Sequence, residues 1–354
     1  MSELPQLLVD LLKIDSPTTN EKALTDYIQA RLADYSGYKL TRKNNLLIYE
    51  THSADSKPYL ALYGHLDTVP NQQTKPPYQD KDKIYGCGAS DMKAGLAVML
   101  KLLEDFSKLP AAFNLQFVFY DQEEGPFIKS GLKNAFIDFP FLKQADLAIV
   151  LEPTSNEIQT GCLGVINAEI IIRGKSGHSA RPWQAKHPLD RALGLISKLN
   201  SFEPVKYQFD GLDFYEVLSI THLMSGKAKN IIPPHLEIWL NYRFNPSRSI
   251  SDAVDFLKKL VPEDKNISLK IVDTSPAGQV VSKNSLLKKL VDKNSLKLRA
   301  KQAWTDVARL TLEGIPAVNF GPGDPSQAHQ IDEYVYSSAM DENYAILLDF
   351  IKES

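Results

Sequence analysis

The spacing of apolar positions in the first third of the chain predicts helices and strands in alternation. Leucines within residues 3–14 recur at helical intervals and indicate an amphipathic helix. The motif Thr18-x-x-Glu21 predicts a capping box that begins a second helix, which we expect to reach about Tyr35. Residues 93–106 have the apolar spacing of a third helix. These helices would alternate with the strands described next.

Three short apolar runs predict buried strands, at residues 59–63, 114–120 and 147–151. Because the runs are almost continuously apolar, they predict a sheet covered by helices on both faces. In such sheets ligands gather beyond the carboxyl ends of the strands. Each run is followed by charged or metal-binding residue types. The pattern therefore predicts a doubly wound α/β domain with its chemistry at one edge of the sheet.

From about residue 164 the pattern changes to half-buried strands with cleaner alternation. Four strands and two helices are predicted there: strands at 166–172, 217–225, 236–244 and 268–273, and helices at 188–200 and 250–260. The signals for helices and buried strands then resume at residues 283–294, 304–313 and 315–320, and a final helix is predicted at 338–352. We therefore predict a catalytic domain of residues 1–163 and 274–354, with a small α+β domain of residues 164–273 inserted into it.

The length of the chain agrees with two domains, and its charge makes some classes of binding partner poor candidates. The chain has 354 residues, and single cores stop growing near roughly 250–300 residues. With 40 Lys and Arg against 43 Asp and Glu, and no basic block, nucleic acids and anionic membranes are poor partners. The longest apolar runs are of strand length, so no segment is expected to span a bilayer.

Two further features favour a cytoplasmic location. The amino terminus lacks the positive and apolar regions of a secretory signal. Two cysteines, Cys87 and Cys162, are too few for a disulfide framework and suit a reducing compartment. Composition alone thus predicts a soluble intracellular protein, most simply an enzyme. We interpret Cys87, between two glycines, as a small packing residue.

The first chemical motif is Gly-His65-Leu-Asp67 at the end of the first apolar run. Residues two apart on an extended segment face the same side, so Asp67 can reach the imidazole of His65. Metal-binding imidazoles usually donate their second N–H to a carboxylate. A strand-end histidine paired with a turn aspartate is the simpler alternative. Likewise Asp91, after Gly-Cys-Gly-Ala-Ser, is either a metal ligand or only a helix cap.

The acidic segment Asp121-Gln-Glu123-Glu124 follows the second apolar run. Three carboxylates in four residues repel one another unless a cation compensates their charge, or unless the segment is a solvated turn. Neighbouring side chains on extended backbone point to opposite sides. We therefore expect Glu123 and Glu124 to have different roles, one binding metal and the other carrying a proton.

Glu152 ends the third run, and His329 lies in a late loop rich in Gly, Pro and Asp. Taken singly, Glu152 has the alternative of an exposed strand end and His329 that of a surface histidine. Together they complete a set of two imidazoles and several carboxylates without sulfur. Such ligands suit zinc, cobalt or manganese. Five ligands are too many for one catalytic zinc ion and are about right for two ions that share a carboxylate.

At this point the sequence resembles the di-zinc aminoacylase and carboxypeptidase family of metallohydrolases. Four segments carry the resemblance: Tyr-Gly-His65-Leu-Asp67-Thr-Val-Pro, Gly-Ala-Ser-Asp91-Met-Lys-Ala-Gly, Asp-Gln-Glu123-Glu124-Gly and Gly-Lys-Ser-Gly-His178-Ser-Ala. They follow the family's order along almost the whole chain. Gly125-Pro-Phe127 departs from the family pattern, which bears on the loop behind the acidic segment.

The resemblance implies two zinc ions per subunit, with cobalt or manganese as possible substitutes. His65 and His329 would each bind one ion, and Asp91 would bridge the two. Glu124 would complete one site and Glu152 the other.

The resemblance also assigns roles around the metals. Asp67 would orient the imidazole of its metal ligand, and Glu123 would be the general base. The inserted domain would form a homodimer and send His178 into the partner's active site, where an imidazole can stabilise charge on the carbonyl oxygen. As a single residue, His178 is equally well a loop histidine.

Four further segments resemble those of the desuccinylases of this family, of the actinobacterial type: Glu152-Pro-Thr, His178-Ser-Ala-Arg-Pro-Trp, Asn230-Ile-Ile-Pro and Trp304-Thr-Asp-Val-Ala-Arg. They imply hydrolysis of N-succinyl-LL-diaminopimelate to succinate and LL-diaminopimelate, a step of lysine biosynthesis. For such a carboxylate-rich substrate, Arg243 is a candidate bidentate partner, and Arg181, Asn230 and Thr305 are further candidates. Either arginine could instead belong to a structural ion pair.

Two alternatives stay open at this stage. Within the family, the substrate could be another N-acyl amino acid, as in acetylornithine deacetylase, or a dipeptide. Outside catalysis, the same fold could serve as a metal- or peptide-binding module. That module would be expected to lack the base or a ligand, yet Glu123 and all five candidate ligands are present.

Overall fold

A computed structural model of the chain describes residues 3–51 and 56–352. The helices of this part are α1 (Leu4–Leu12), α2 (Lys22–Arg31), α3 (Ala94–Phe106), α4 (Leu132–Asp138), α5 (Pro188–Asn200), α6 (Ile250–Leu260), α7 (Ser285–Asn294), α8 (Val307–Leu312) and α9 (Ser337–Ile351). The strands up to the acidic segment are β1 (Tyr38–Lys43), β2 (Leu46–Thr51), β3 (Tyr59–His65), β4 (Tyr78–Asp80), β5 (Lys83–Tyr85) and β6 (Asn114–Tyr120).

The later strands extend from the third apolar run to the last helix. They are β7 (Leu147–Val150), β8 (Ile158–Thr160), β9 (Gly164–Arg173), β10 (Gly177–His178), β11 (Val205–Phe209), β12 (Leu212–Met224), β13 (Ile231–Ile232), β14 (His235–Phe244), β15 (Ile267–Ser275), β16 (Leu298–Ala300), β17 (Ala317–Asn319) and β18 (Tyr334–Tyr336). Among these residues, no helix is both long and apolar enough to cross a bilayer.

The first compact unit comprises Met1–Gly161, Val281–Arg299 and Thr305–Ser354. Its main sheet has the order β1-β2-β6-β3-β7-β17-β8-β16, and β3 runs parallel to both β6 and β7. Alternate residues of β3 enter different apolar clusters. Leu60 and Leu62 pack with residues of α1, α3 and α9, whereas Ala61 and Tyr63 pack with residues of α4 and α8. The predicted sheet covered on both faces is confirmed.

The predicted capping box between Thr18 and Glu21 is wrong. Thr19 has a left-handed backbone with φ of 78°, so the chain makes a turn there, and α2 begins at Lys22 and ends at Arg31. The Glu21 carboxylate accepts the N–H of Thr19 at 2.7 Å. The Thr18 hydroxyl instead donates to Asp67, a contact that matters for the site described below.

The second compact unit comprises Cys162–Val280 and Ala300–Trp304. Its antiparallel sheet has the order β11-β12-β14-β9-β15. The alternate buried residues of β9 and β14 pack against α5 and α6. This unit has more strands than the four predicted, because β11 forms a hairpin with β12 and because β10 pairs with β13. The predicted boundaries at 164 and 273 stay a prediction.

Candidate metal centre

Parallel pairing brings the ends of three strands to one edge of the main sheet. His65, the last residue of β3, lies opposite Tyr120, the last residue of β6. Tyr63 lies opposite Val150, the last residue of β7. The segments that follow these strands carry the acidic residues. The strands therefore deliver imidazole and carboxylate groups to the same place, as the apolar runs predicted.

Two loops bring the remaining candidate ligands. Asp91 follows Gly88, which has a left-handed backbone with φ of 85° and on which a Cβ would lie 2.7 Å from the Thr68 side chain. A cis peptide bond joins Asp91 to Met92. His329 also has a left-handed backbone, with φ of 64°, in the loop before β18. Both ligands therefore depend on tight turns rather than on regular helix or strand.

The ligand atoms converge in two groups that share Asp91. In the first, the Nε2 atom of His65 lies 3.3 Å from Oδ1 of Asp91 and 3.7 Å from Oε1 of Glu152. In the second, the Nε2 atom of His329 lies 3.0 Å from Oε1 of Glu124 and 3.8 Å from Oδ2 of Asp91. Each group offers ligand atoms within 4.8 Å of one another. The two oxygens of Asp91 thus face different imidazoles.

The protonation of these groups reflects crowding of negative charge. The Glu124 carboxylate raises the pKa of His329 to about 9. Burial opposes charge on His65, but Asp67 and Asp91 outweigh it and hold the pKa of His65 well above its usual value. Burial, reinforced by the charge of Glu152, raises the pKa of Glu123 well above its usual value. Without another cation, the cluster must therefore take up protons.

The donor set fits a pair of divalent cations. It consists of imidazole nitrogens and carboxylate oxygens, the ligands suited to zinc and similar first-row metals. A carboxylate with one oxygen toward each group has the geometry that a bridging ligand requires. The carboxylates whose charges hold the pKa values of His65 and His329 above their usual range would each be stabilised by a nearby dication.

Asp67 does more than contact the ring of His65. Its Oδ1 atom lies 3.5 Å from Nδ1 of His65, but the shorter contact to that nitrogen, at 2.9 Å, is from the backbone oxygen of Asp67. The carboxylate accepts the N–H groups of Glu123 and Glu124, each at 3.0 Å, and the hydroxyl of Thr18 at 3.0 Å. Asp67 therefore holds the backbone of the acidic segment as well as the first imidazole.

The expectation that Glu123 and Glu124 point to opposite sides is wrong. Gln122 has a left-handed backbone with φ of 59°, so the segment bends and does not continue β6 as extended chain. Both glutamates offer an oxygen within 4.8 Å of a ring nitrogen of His65 and of each other. A difference in role between Glu123 and Glu124 must therefore come from their environments and not from strand alternation.

Sequence analysis missed three buried charged groups around the site. The Glu333 carboxylate accepts three backbone N–H groups from the loop that carries Asp91, and burial raises its pKa to about 7. The Lys93 ammonium donates to the carbonyl oxygens of Leu11 and Ile14, and burial lowers its pKa to about 8. A glutamate four residues after His329 and a lysine after Asp91 were the available signals.

Asp306 is the third missed group. It is fully buried, pairs with Arg309 at 3.0 Å, and its charge contributes to the raised pKa of Glu123. Arg309 also donates to the carbonyl oxygen of Phe127 at 2.5 Å and lies over that residue's ring. The unusual Gly125-Pro-Phe127 segment is therefore held by Arg309.

Four predicted site residues belong to the second unit. His178, Arg181 and Asn230 are exposed and lie together, since Arg181 donates its N–H to the His178 carbonyl and β10 pairs with β13. The Nδ1 atom of His178 accepts the N–H of Ala180 at 3.0 Å, which leaves Nε2 to act. Arg243 lies on β14, and burial lowers its pKa.

Thr305, the remaining candidate for substrate binding, lies in the first unit. It is buried, and its hydroxyl donates to Oδ1 of Asn319 at 3.0 Å. Its contact with a substrate stays a prediction.

The mixed sheet, with imidazole and carboxylate groups beyond its parallel strands, agrees with the class that the family match shows, a metallohydrolase acting on amide bonds. The chain belongs to peptidase family M20/M25/M40, which matches residues 61–353. It is 34% identical over 331 residues to the DapE protein of Mycobacterium tuberculosis, covering 93% of this chain and 92% of that protein. It is 33% identical over 356 residues to the succinyl-diaminopimelate desuccinylase of Corynebacterium glutamicum, covering 99% of this chain and 95% of that protein.

Solved structures agree on the fold. A tripeptidase from Staphylococcus aureus has a TM-score of 0.80 and 21% identity, covering 99% of this chain and 97% of that chain. A dinuclear metal binding peptidase of family M20 from Bacillus subtilis has a TM-score of 0.72 and 17% identity, covering 98% of this chain and 96% of that chain. The predicted family and fold class are confirmed.

The contacts of Asp67 predict a pH-dependent loss of stability in Asp67→Asn. Although burial alone would raise it, the pKa of Asp67 is lowered because His65 and two backbone N–H groups favour the carboxylate. A lowered pKa stabilises the fold above the unfolded value of about 3.9, and this contribution is lost as the pH falls. We expect Asp67→Asn, in chelator, to lower the free energy of unfolding by roughly 1.5–3 kcal/mol at pH 7 and by progressively less below pH 4. Urea titrations across pH measure the difference.

Asp10→Asn is the matched control, because Asp10 forms an exposed ion pair with Lys13. It should change stability by less than about 1 kcal/mol. A constant difference for Asp67→Asn across the pH range would contradict the assigned role of its charge.

Proposed function

We propose that the chain is a zinc-dependent hydrolase that converts N-succinyl-LL-diaminopimelate and water to succinate and LL-diaminopimelate. The observation that carries the proposal is the pair of ligand groups that share the two oxygens of Asp91. The substrate is supported by the relative from Corynebacterium glutamicum, which carries the desuccinylase name and matches nearly the whole chain.

Two zinc ions per subunit would be held by five residues. His65 and Glu152 would bind one ion, His329 and Glu124 the other, and Asp91 both. When bound, such a pair polarises the amide carbonyl and lowers the pKa of a shared water. Cobalt or manganese could replace zinc, because both accept the same nitrogen and oxygen ligands.

Glu123 would move the proton in this reaction. Burial, with the charge of Glu152, raises the pKa of Glu123 above its usual range, and a carboxylate of higher pKa is a stronger acceptor for the proton of water. The water oxygen forms a bond to the succinyl carbonyl carbon, and the C–N bond breaks. Glu123 then delivers its proton to the departing amine nitrogen, so the proton that was taken from water leaves with the amine product.

We further propose a homodimer built through the second unit. Residues 217–224 of β12 pair with β14 on one side, and within the described chain no strand pairs with their other side. Leu223 and Met224 at this edge are about half exposed, as is Leu193 on α5. An exposed strand edge is a template for pairing with another chain. A two-fold axis would allow a second copy to pair there with the same edge.

In this dimer, the exposed imidazole of His178 would act in the partner's site. Its Nε2 atom would donate a hydrogen bond to the carbonyl oxygen as negative charge develops there. Arg181, Asn230 and Arg243 would bind substrate carboxylates, with Arg243 already oriented by a hydrogen bond to Asn241 at 2.8 Å. Thr305 would add a neutral contact. Within the part of the chain that the structure describes, Cys87 and Cys162 form no disulfide, which supports a cytoplasmic site for the reaction.

A peptidase is the second candidate function, favoured by the fold shared with the tripeptidase. A substrate panel with zinc supplied separates the two: N-succinyl-diaminopimelate, N-acetylornithine, other N-acyl amino acids, dipeptides and tripeptides. We expect the highest kcat/KM with N-succinyl-diaminopimelate, and loss of that activity with chelator until zinc or cobalt is restored. A higher kcat/KM with a peptide would replace the proposed substrate, whereas activity indifferent to chelation would contradict the metal mechanism.

Glu123→Gln should abolish turnover and leave two metal ions bound. The amide keeps the size of the side chain but cannot accept the proton from water. Activity assays and metal analysis of the purified variant measure the two effects. Glu313→Gln, which breaks a surface ion pair with Lys143, is the control and should keep full activity. Retained turnover in Glu123→Gln would remove its role as base.

Mixing inactive Glu123→Ala and His178→Ala subunits should restore part of the activity. One site of each hybrid dimer would then hold both an intact Glu123 and a partner's intact His178. Activity measured after subunit exchange tests this. Mixing Glu123→Ala with the double variant Glu123→Ala/His178→Ala is the control, since no site then contains the base. Exchanged hybrids that stay inactive would contradict the shared site.

A further inference from the structure

One buried carboxylate, that of Glu333, joins the loops that carry Asp91 and His329. Its Oε1 atom accepts the N–H groups of Ser90 at 2.7 Å and Asp91 at 2.9 Å, and its Oε2 atom accepts the N–H of Gly88 at 2.8 Å. Glu333 is 2% exposed, so these hydrogen bonds are shielded from competing water. A carboxylate that accepts several backbone N–H groups forms strong, charge-assisted bonds.

The loop before Asp91 needs such an acceptor. Gly88, Ser90 and Asp91 lie outside the strands, so no strand ladder supplies acceptors for their N–H groups. Buried backbone donors are costly when they lack partners. Two further bonds fix the same pair of segments: the Gly86 N–H donates to the Glu333 carbonyl at 3.1 Å, and the Ser90 hydroxyl donates to the Tyr334 carbonyl at 2.7 Å. Main chain and side chain therefore hold one loop against the other.

We propose that Glu333 is a positioning residue that aims the Asp91 carboxylate at both metal sites, an inference that rests on the dinuclear centre proposed above. Asp91 must present one oxygen to the group of His65 and the other to the group of His329. A small rotation of its backbone would improve one approach at the expense of the other. Both oxygens of Glu333 accept N–H groups, and Glu333 is in none of the candidate ligand groups of the described residues, so Glu333 acts through Asp91.

The variant Glu333→Gln tests this with little change in volume. One carboxylate oxygen becomes an amide NH₂, which must then face either the Gly88 N–H or the N–H pair of Ser90 and Asp91. Groups that orient a metal ligand typically change metal affinity 10–100-fold when they are replaced. We expect Glu333→Gln to weaken binding of the second Co²⁺ ion about 10–100-fold. Excess Co²⁺ should restore most of kcat. Titration of the metal-free protein, followed by Co²⁺ absorption, measures the affinity.

Two further variants separate positioning from stability. Glu333→Asp keeps the charge on a shorter side chain and should have intermediate Co²⁺ affinity. Glu104→Gln is the structural control, because Glu104 is a buried carboxylate on α3 that pairs with Arg31 at 2.7 Å. It should lower stability and leave both Co²⁺ affinities unchanged. Urea unfolding in chelator gives the stability of each variant without metal.

The outcomes distinguish this inference from the proposed function. Wild-type affinity for both ions in Glu333→Gln would overturn the inference and leave the dinuclear centre intact. Equal losses in Glu333→Gln and Glu104→Gln, once matched for stability, would also overturn it, since the effect would then be general loosening. A wild-type protein that binds no Co²⁺ would refute the dinuclear centre itself. Failure of both Glu333 variants to fold without metal would make the role structural and the inference wrong.

Discussion

Mutual repulsion among carboxylates is the constraint on which the arrangement of this protein depends. Parallel strands end at one edge of the sheet, so residues that are far apart in the chain place their charges together there. Without a bound cation, these charges raise the pKa values of His65 and His329, and burial together with the charge of Glu152 raises the pKa of Glu123. A site of this composition is stable only when cations or protons compensate its negative charge. Before a cation binds, the rest of the fold must hold the ligands together.

The supporting groups are, notably, further carboxylates. Asp67 holds the acidic segment, and Glu333 holds the loop of Asp91, each by accepting backbone N–H groups. Backbone donors carry only partial positive charge, so these anchors add to the negative potential around the ligands. Two buried cations offset part of this negative potential: Lys93, which donates to carbonyl groups at the end of α1 and just after it, and Arg309, which pairs with Asp306. The result is a cluster in which anionic groups are fixed by neutral dipoles.

Sequence patterns predicted the sheet and the residue types at its edge, because buried parallel strands are recognisable as continuous apolar runs. They failed where single residues adopt left-handed backbone. Thr19 turns the chain before α2, and Gln122 bends the segment that carries Glu123 and Glu124. Glu333 was missed for a different reason. Its partners are backbone N–H groups more than 240 residues earlier, and such a contact leaves no pattern in either segment.

The position of Lys93 has a consequence for how this protein can be dissected. The family match begins at residue 61, which would suggest that the preceding helices are an optional extension. Yet the buried ammonium group beside the metal-binding loop depends on carbonyl oxygens of Leu11 and Ile14, and Asp67 accepts a hydrogen bond from Thr18. A fragment trimmed to the family match would lose both carbonyl oxygens to which that buried ammonium group donates. The amino-terminal segment is therefore a structural part of the first compact unit and supports the groups around the candidate metal centre.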